Sequence, residues 1–164
     1  ERLADSTGDY LSAQIAAGAD AVQLFDTWAS LLSARDYEEF ALPYQQRVFE
    51  AVSSTGAPTI LYVNGCAHIL HGMAASGATA LSVDWREPLS DVRARVGSDV
   101  VLQGNLEPSS LFAPPEVVRE KCRALLDSMA GDARFIFNLG HGILPETPVA
   151  SVEALVETVK SYGE

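Results

Sequence analysis

Residues 18–24, Gly18-Ala19-Asp20-Ala21-Val22-Gln23-Leu24, return in altered form at 77–83 as Gly77-Ala78-Thr79-Ala80-Leu81-Ser82-Val83. In each copy a glycine stops a helical stretch, small residues make a tight turn, and a buried apolar run follows. This is the junction between a helix and the next strand of a βα repeat, written twice. Working outward from it, five such apolar runs lie at 21–25, 59–63, 80–83, 100–103 and 135–139. Each is Val-, Ile-, Leu- or Phe-rich at nearly every position instead of at alternate ones. Strands covered on both faces in a parallel sheet have that pattern.

Helical patterns fill the spaces between them. A first helix covers roughly 2–17 and stops at Gly18. Ser33-Ala34-Arg35-Asp36 is an S-x-x-D start that makes Ser33 an N-cap, and the pattern then runs from Tyr37 to about Val52. Pro43 lies inside that stretch and is expected to kink it or split it in two. A short helix is expected over 69–76 before Gly77. Pro114-Pro115-Glu116 and Pro148 open two more, running to about Met129 and Tyr162, with proline where its missing N–H costs nothing.

Strict alternation of helix and strand means a parallel sheet with right-handed crossovers. Two architectures satisfy it. A doubly wound five-stranded sheet fits the length and is favoured by pattern alone. A (β/α)8 barrel normally takes about 250 residues, of which this chain would supply only the larger part. No linker, low-complexity tract or charge run divides residues 1–164, so one domain is expected.

Composition narrows the function. Twenty-two acidic against eleven basic residues give a formal charge of −11. Binding to nucleic acid or to an anionic membrane needs clustered Lys and Arg, so neither is expected. No apolar run approaches the roughly 18 residues of a membrane span, and no apolar signal segment follows Glu1. Two cysteines, Cys66 and Cys122, build no disulfide framework, and a reducing, cytoplasmic setting is the default.

In either architecture, functional groups collect at the carboxyl ends of the strands. Those ends read Asp26-Thr27-Trp28, Asn64-Gly65-Cys66, Asp84-Trp85-Arg86, Gly104-Asn105-Leu106 and Asn138-Leu139-Gly140-His141-Gly142. His141, between two glycines beyond a buried strand, is the foremost candidate: imidazole donates to carboxylates and moves protons near neutrality. A turn histidine bonded to backbone is the alternative. Asp26 and Asp84 both end strands, and each is more readily a turn or N-cap residue than an acid–base group. Thr27 offers a hydroxyl, and Trp28 and Trp85 fill core or line a pocket mouth. Cys66 and His68 could ligate a metal, but two ligands make no zinc site, and Cys122 has no histidine at metal spacing. His71 fits an exposed helix face. No metal site is expected. The Gly140-His141-Gly142 loop lacks the length and the lysine of a phosphate-binding loop, and no G-x-S-x-G elbow is present.

Four stretches carry a family resemblance. They are 16–29 (AAGADAVQLFDTWA), 36–44 (DYEEFALPY), the pair 83–86 (VDWR) and 102–108 (LQGNLEP), and 137–145 (FNLGHGILP). In motif, order and spacing they resemble the C-terminal half to two-thirds of the uroporphyrinogen decarboxylase family. The resemblance covers essentially all 164 residues, and its last two motifs are highly specific.

The resemblance implies a (β/α)8 TIM barrel with its site at the C-terminal face. The five strands here would be its last five, with about three βα units absent, and this displaces the doubly wound reading. It also implies a lyase acting on uroporphyrinogen III in porphyrin and haem biosynthesis. Four acetate carboxyls leave as CO2 to give coproporphyrinogen III, without metal or organic cofactor, in a cytoplasmic homodimer. A protonated pyrrole then serves as the electron sink that a cofactor supplies elsewhere.

By residue, the resemblance places Thr27 where the family usually has a serine hydroxyl on a substrate carboxylate. Phe25 falls on an aromatic that packs against the macrocycle. His141 falls on the histidine of the family's GHG signature, which contacts substrate and is a candidate for proton transfer or carboxylate binding. The family's N-terminal arginines, an aspartate that contacts the pyrrole N–H groups and a substrate-binding tyrosine have no counterpart here. The chain alone is therefore expected to be inactive. Two rival readings remain: a zinc-dependent corrinoid methyltransferase of the same superfamily, and a non-catalytic remnant that only binds porphyrinogen.

Overall fold

The five apolar runs are five parallel strands. In the computed structural model, which describes residues 1–163, they are β1 (Val22–Phe25), β2 (Thr59–Val63), β3 (Ala80–Val83), β4 (Val101–Leu106) and β5 (Phe135–Leu139). Each pairs with the next in chain order, β1-β2-β3-β4-β5, all parallel. A doubly wound sheet reverses its strand order at a switch point. This sheet never reverses, and every crossover steps one strand the same way. The doubly wound expectation from pattern alone is thereby corrected. The chain forms five successive βα units of the (β/α)8 barrel architecture.

Register separates the two faces. Leu24, Leu61, Leu81, Leu102 and Phe135 stand side by side in one row across all five strands. Leu61, Leu81 and Leu102 are completely buried, in one core with Phe49, Met73 and Val92 from the covering helices. Each such leucine contributes roughly 1.5–3 kcal/mol of burial free energy. The next row is Phe25, Tyr62, Ser82, Gln103 and Ile136. It points to the opposite, helix-free face and is mixed in character.

That second face is concave. Gln103 Nε2 on β4 donates to Gln23 Oε1 on β1 at 3.1 Å, across β2 and β3. In a flat sheet, strands three places apart stand about 14 Å from one another. The sheet is therefore curled as a barrel wall. Two-sided burial holds for β2, β3 and most of β4, whereas β1 and β5 are partly exposed.

Among the described residues, seven α-helices cover the outer face: α1 (Arg2–Ala16), α2 (Ala34–Phe40), α3 (Leu42–Ser53), α4 (Leu70–Ala74), α5 (Leu89–Val96), α6 (Pro115–Ser128) and α7 (Val149–Lys160). Ser33 caps α2 as its spacing predicts, its Oγ accepting from the Asp36 amide at 3.1 Å. Pro43 splits the stretch instead of kinking it: α2 stops at Phe40 and α3 restarts with proline in its first turn. The helix expected over 69–76 is shorter, a 3-10 turn over Ala67–Ile69 followed by α4. Gly18 and Gly77 adopt φ of 106° and 87°, the left-handed turn that both copies of the repeat require.

β4 runs three residues past its apolar stretch. Gly104 and Asn105 read as turn residues, but tertiary contacts override that preference. The Asn105 amide donates to the carbonyls of Asp84 and Glu87, at 2.9 and 2.8 Å. A Cβ on Gly104 would stand 2.9 Å from the Val83 carbonyl oxygen, so glycine permits the close β3–β4 approach.

Candidate functional site

At the C-terminal ends of the strands the concave face opens into a cleft of about 360 Å³. Gln23, Phe25 and Thr27 reach it from β1 and the loop after it, Tyr62 from β2 and Ser82 from β3. Asn138, Leu139, His141 and Gly142 close it from the end of β5. The three residues singled out by resemblance, Phe25, Thr27 and His141, line this one cleft together.

The wall is aromatic. Phe25 and Tyr62 pack with ring centroids 5.7 Å apart, and Tyr62 meets the His141 imidazole edge to face at 5.8 Å and 89°. The Tyr62 hydroxyl donates to the carbonyl of Gly140 at 3.1 Å. Burial, reinforced by the Asp84 carboxylate, pushes the Tyr62 phenol up to about 12, so it stays a protonated donor near neutrality. Gly140 itself rests on the β3 loop. A Cβ there would lie 2.6 Å from the Trp85 amide nitrogen.

His141 is held in one tautomer. The Gly142 amide donates to its Nδ1 at 2.7 Å, which leaves the hydrogen of the neutral ring on Nε2. The backbone-bonded turn histidine weighed from sequence is present: one ring nitrogen is bound to backbone, and the ring lines the cleft. The Thr27 hydroxyl has no hydrogen-bond partner among the described residues; its carbonyl accepts from the Asn64 amide at 3.3 Å.

The two strand-end aspartates serve the frame. Asp84 is 4% exposed and accepts from the amides of Gly65 and Cys66, at 2.9 and 3.2 Å, and from Arg86 at 2.6 Å. Arg86 also donates to Asn64 Oδ1 at 2.9 Å and lies over the Trp85 ring, 4.4 Å from its centroid. Asp84 therefore ties the β2 and β3 loops together. Asp26 accepts from Gln45 at 2.9 Å, and Gln45 in turn accepts from the buried Tyr37 hydroxyl. Asp26 faces a different surface, a groove of about 820 Å³ beside α1 and α3. That groove is the larger of the two, with Leu3, Trp28, Leu31 and Phe40 exposed along it. Its polar lining includes Asp26 and Gln45, already bonded to each other.

Cys66 and His68 do not combine as metal ligands. The Cys66 thiol is buried against Asp84, with its Sγ 3.6 Å from Oδ1, and burial pushes it up to about 12. The His68 Nε2 instead meets the Leu32 carbonyl at 2.9 Å. Among the described residues no group of three His, Cys, Asp or Glu side chains could hold a metal ion. Cys122 is buried between α6 and its neighbours, and His71 is exposed on α4.

Sequence reasoning passed over Gln23, Tyr62 and Ser82. All three lie inside apolar runs read as core. Strand parity is the signal that finds them: side chains two apart on a strand share a face, so Gln23 goes with Phe25.

A family model described as uroporphyrinogen decarboxylase (URO-D) matches residues 1–162. Among curated proteins, the chain is 48% identical over 166 residues to the uroporphyrinogen decarboxylase of Nostoc punctiforme, covering 99% of this chain and 46% of that one. It is 46% identical to that of Carboxydothermus hydrogenoformans, covering 96% and 45%, and 44% identical to that of Idiomarina loihiensis, covering 98% and 46%. Among solved structures, a methyltransferase from Methanosarcina mazei superposes with a TM-score of 0.85 at 26% identity, over 96% of this chain and 46% of that one. The chain thus spans about half the length of the curated relatives it matches.

Proposed function

The chain belongs to the uroporphyrinogen decarboxylase family, and on that premise we propose that it supplies five βα units and one wall of the substrate cleft to a uroporphyrinogen decarboxylase. The reaction converts uroporphyrinogen III and four protons to coproporphyrinogen III and four CO2. The single observation that carries this reading is the convergence of Phe25, Thr27 and His141 on one aromatic-walled cleft.

Each turnover has a simple electron balance. A proton adds to the pyrrole carbon beside the one bearing the acetate, making the ring cationic. The bond between the acetate methylene and its carboxylate breaks, CO2 leaves, and the electron pair moves into the ring. A second proton adds to the exocyclic carbon to make a methyl group, and the ring proton is lost. The chain's task is to position acetates and shield the cationic ring. Phe25 and Tyr62 offer faces for the macrocycle. His141 offers Nε2–H, and Thr27 its hydroxyl, as donors to a carboxylate. The tautomer held by Gly142 favours His141 as a carboxylate donor over a proton acceptor at Nδ1.

We place this work in porphyrin and haem biosynthesis, in one domain of a cytoplasmic homodimer. Two unpaired buried thiols support a reducing compartment, and no helix among the described residues is long and apolar enough to cross a membrane. No cofactor is assigned. The likeness to a methyltransferase favours a second reading, methyl transfer; the form weighed from sequence is the zinc-dependent corrinoid one. The residues do not fit that metal, because Cys66 and His68 are committed to Asp84 and to the Leu32 carbonyl.

The test joins this chain to the three preceding βα units of the Nostoc punctiforme relative and supplies uroporphyrinogen III anaerobically. A folded chimera is expected to form coproporphyrinogen, the His141→Ala chimera to lose most of that activity, and the 164 residues alone to form none. A folded but inactive chimera would sink the reading. Stoichiometric zinc in the purified protein would favour the second one.

A further inference from the structure

We propose that Gln23 and Ser82, set by Gln103, form a carboxylate-binding subsite inside the cleft. The proposal deepens the functional reading above and rests on it, since it assumes a polycarboxylate ligand in this cleft. It follows from counting hydrogens. The Gln103 amide nitrogen carries two, and both are spent: one on Gln23 Oε1 at 3.1 Å, the other on Ser82 Oγ at 2.9 Å. Gln103 and Ser82 are only 6% and 2% exposed, so water competes little with this arrangement.

Each acceptor has turned its oxygen toward Gln103. What Gln23 and Ser82 have left is mainly donors: two amide N–H groups and one hydroxyl O–H, beside one spare lone pair on each oxygen that already faces Gln103. None of the three hydrogens has an acceptor among the described residues, and both side chains line the cleft. Ser82 is buried and Gln23 half-buried, so donors left there without an acceptor cost free energy and the site favours a ligand that brings acceptors. With no lysine or arginine lining the cleft, the donors are neutral. Three neutral N–H and O–H donors suit a carboxylate, which brings lone pairs, better than an ammonium group, which brings none. Gln23 lies two residues before Phe25 on β1, so this subsite is deeper along the strands than the donors of Thr27 and His141. One polycarboxylate is thus gripped at two depths, with its ring against Phe25 and Tyr62.

The experiment titrates the folded chimera described above, unmodified as the wild type, with coproporphyrin III, a tetracarboxylate, and with its tetramethyl ester, following porphyrin fluorescence. Gln23→Met keeps the side-chain volume and removes the donors; Gln23→Glu keeps the shape and places an anion there. The expected result is binding of the acid over the ester, a loss of affinity of about tenfold in Gln23→Met, and a larger loss in Gln23→Glu. Circular dichroism establishes that both variants fold. Unchanged affinity in both folded variants overturns the subsite while the tetrapyrrole reading stands. If the wild type binds neither porphyrin, the tetrapyrrole reading fails, and the subsite is decided by nuclear magnetic resonance with sodium acetate. A saturable shift of the Gln23 side-chain amide signals, absent in Gln23→Met, then supports it. No shift overturns it.

Discussion

The hydroxyl of Tyr62 donates to the carbonyl of Gly140 across 78 residues of sequence, at 3.1 Å, so the C-terminal end of β2 holds the loop that carries His141. The ring of Tyr62 also stands edge-on to the imidazole it steadies. Tyr62→Phe keeps the ring and removes only the bond. Equilibrium urea unfolding should show a loss of about 1 kcal/mol. In the active chimera, a raised KM with little change in kcat would mark the loop as a substrate-positioning element. Identical stability and identical KM would show that the bond does neither.

Gly72 in α4 packs flat against Tyr37. A Cβ there would lie 2.6 Å from a ring carbon of Tyr37, which is completely buried. Gly72→Ala therefore overpacks the core, at an expected cost of 1–3 kcal/mol, about the reverse of what helix propensity alone predicts for glycine to alanine. Thermal unfolding decides between the two: a raised Tm would refute the packing argument.

Asp84 accepts four hydrogen bonds: two from the Gly65 and Cys66 amides of the loop after β2, and two from the amide and side chain of Arg86. Asp84→Asn keeps the shape and an oxygen to accept from the Gly65 and Cys66 amides, but it puts an amide N–H group where Oδ2 accepts from Arg86, so the charged hydrogen bond is lost. Arg86 is half exposed, so water softens the loss, and about 2–3 kcal/mol is expected. Asp26→Asn should cost less, since Asp26 accepts one amide bond from Gln45. The order of the two in urea midpoints is the measurement.

Both thiols weaken the fold at alkaline pH. Burial raises Cys66 to about 12 and Cys122 to about 11, against roughly 8.5 in an unfolded chain. A raised folded value means that this stabilising difference is complete below about pH 8.5 and is lost as pH rises toward 11–12, because the unfolded chain ionises first. Stability should fall by roughly 1 kcal/mol per pH unit per thiol above pH 9. Cys122→Ala should flatten that slope by about half, and an unchanged slope would show that the thiols are not its origin.

The fold was legible from sequence to different depths. The Gly18 and Gly77 junctions, the five apolar runs and the Ser33 cap are local, and each stands where its residues put it. The winding of the sheet is not local: alternating helices and strands suit a sheet that reverses and one that does not. Only the family resemblance chose the barrel, and the β1-to-β5 order then bore it out. The end of β4 was misread because Gly104 and Asn105 answer to Val83 at the end of β3 and to Asp84 and Glu87 in the loop after it, not to their own neighbours. Phe25, Thr27 and His141 were found by motif, and the cleft gathers them. Gln23, Tyr62 and Ser82 escaped because a polar or aromatic side chain within an apolar strand shows its face only once register is fixed.

The two glycines that flank His141 look alike in the sequence, yet they answer to different constraints. A side chain on Gly140 would drive into the backbone of Trp85, whereas one on Gly142 would meet nothing within 4 Å. Under random drift with selection for folding alone, position 140 should stay fixed while position 142 wanders through small residues. The symmetry of the signature is thus an accident of spelling: one glycine is a packing requirement, and the other is free to be replaced so long as its amide still points at Nδ1.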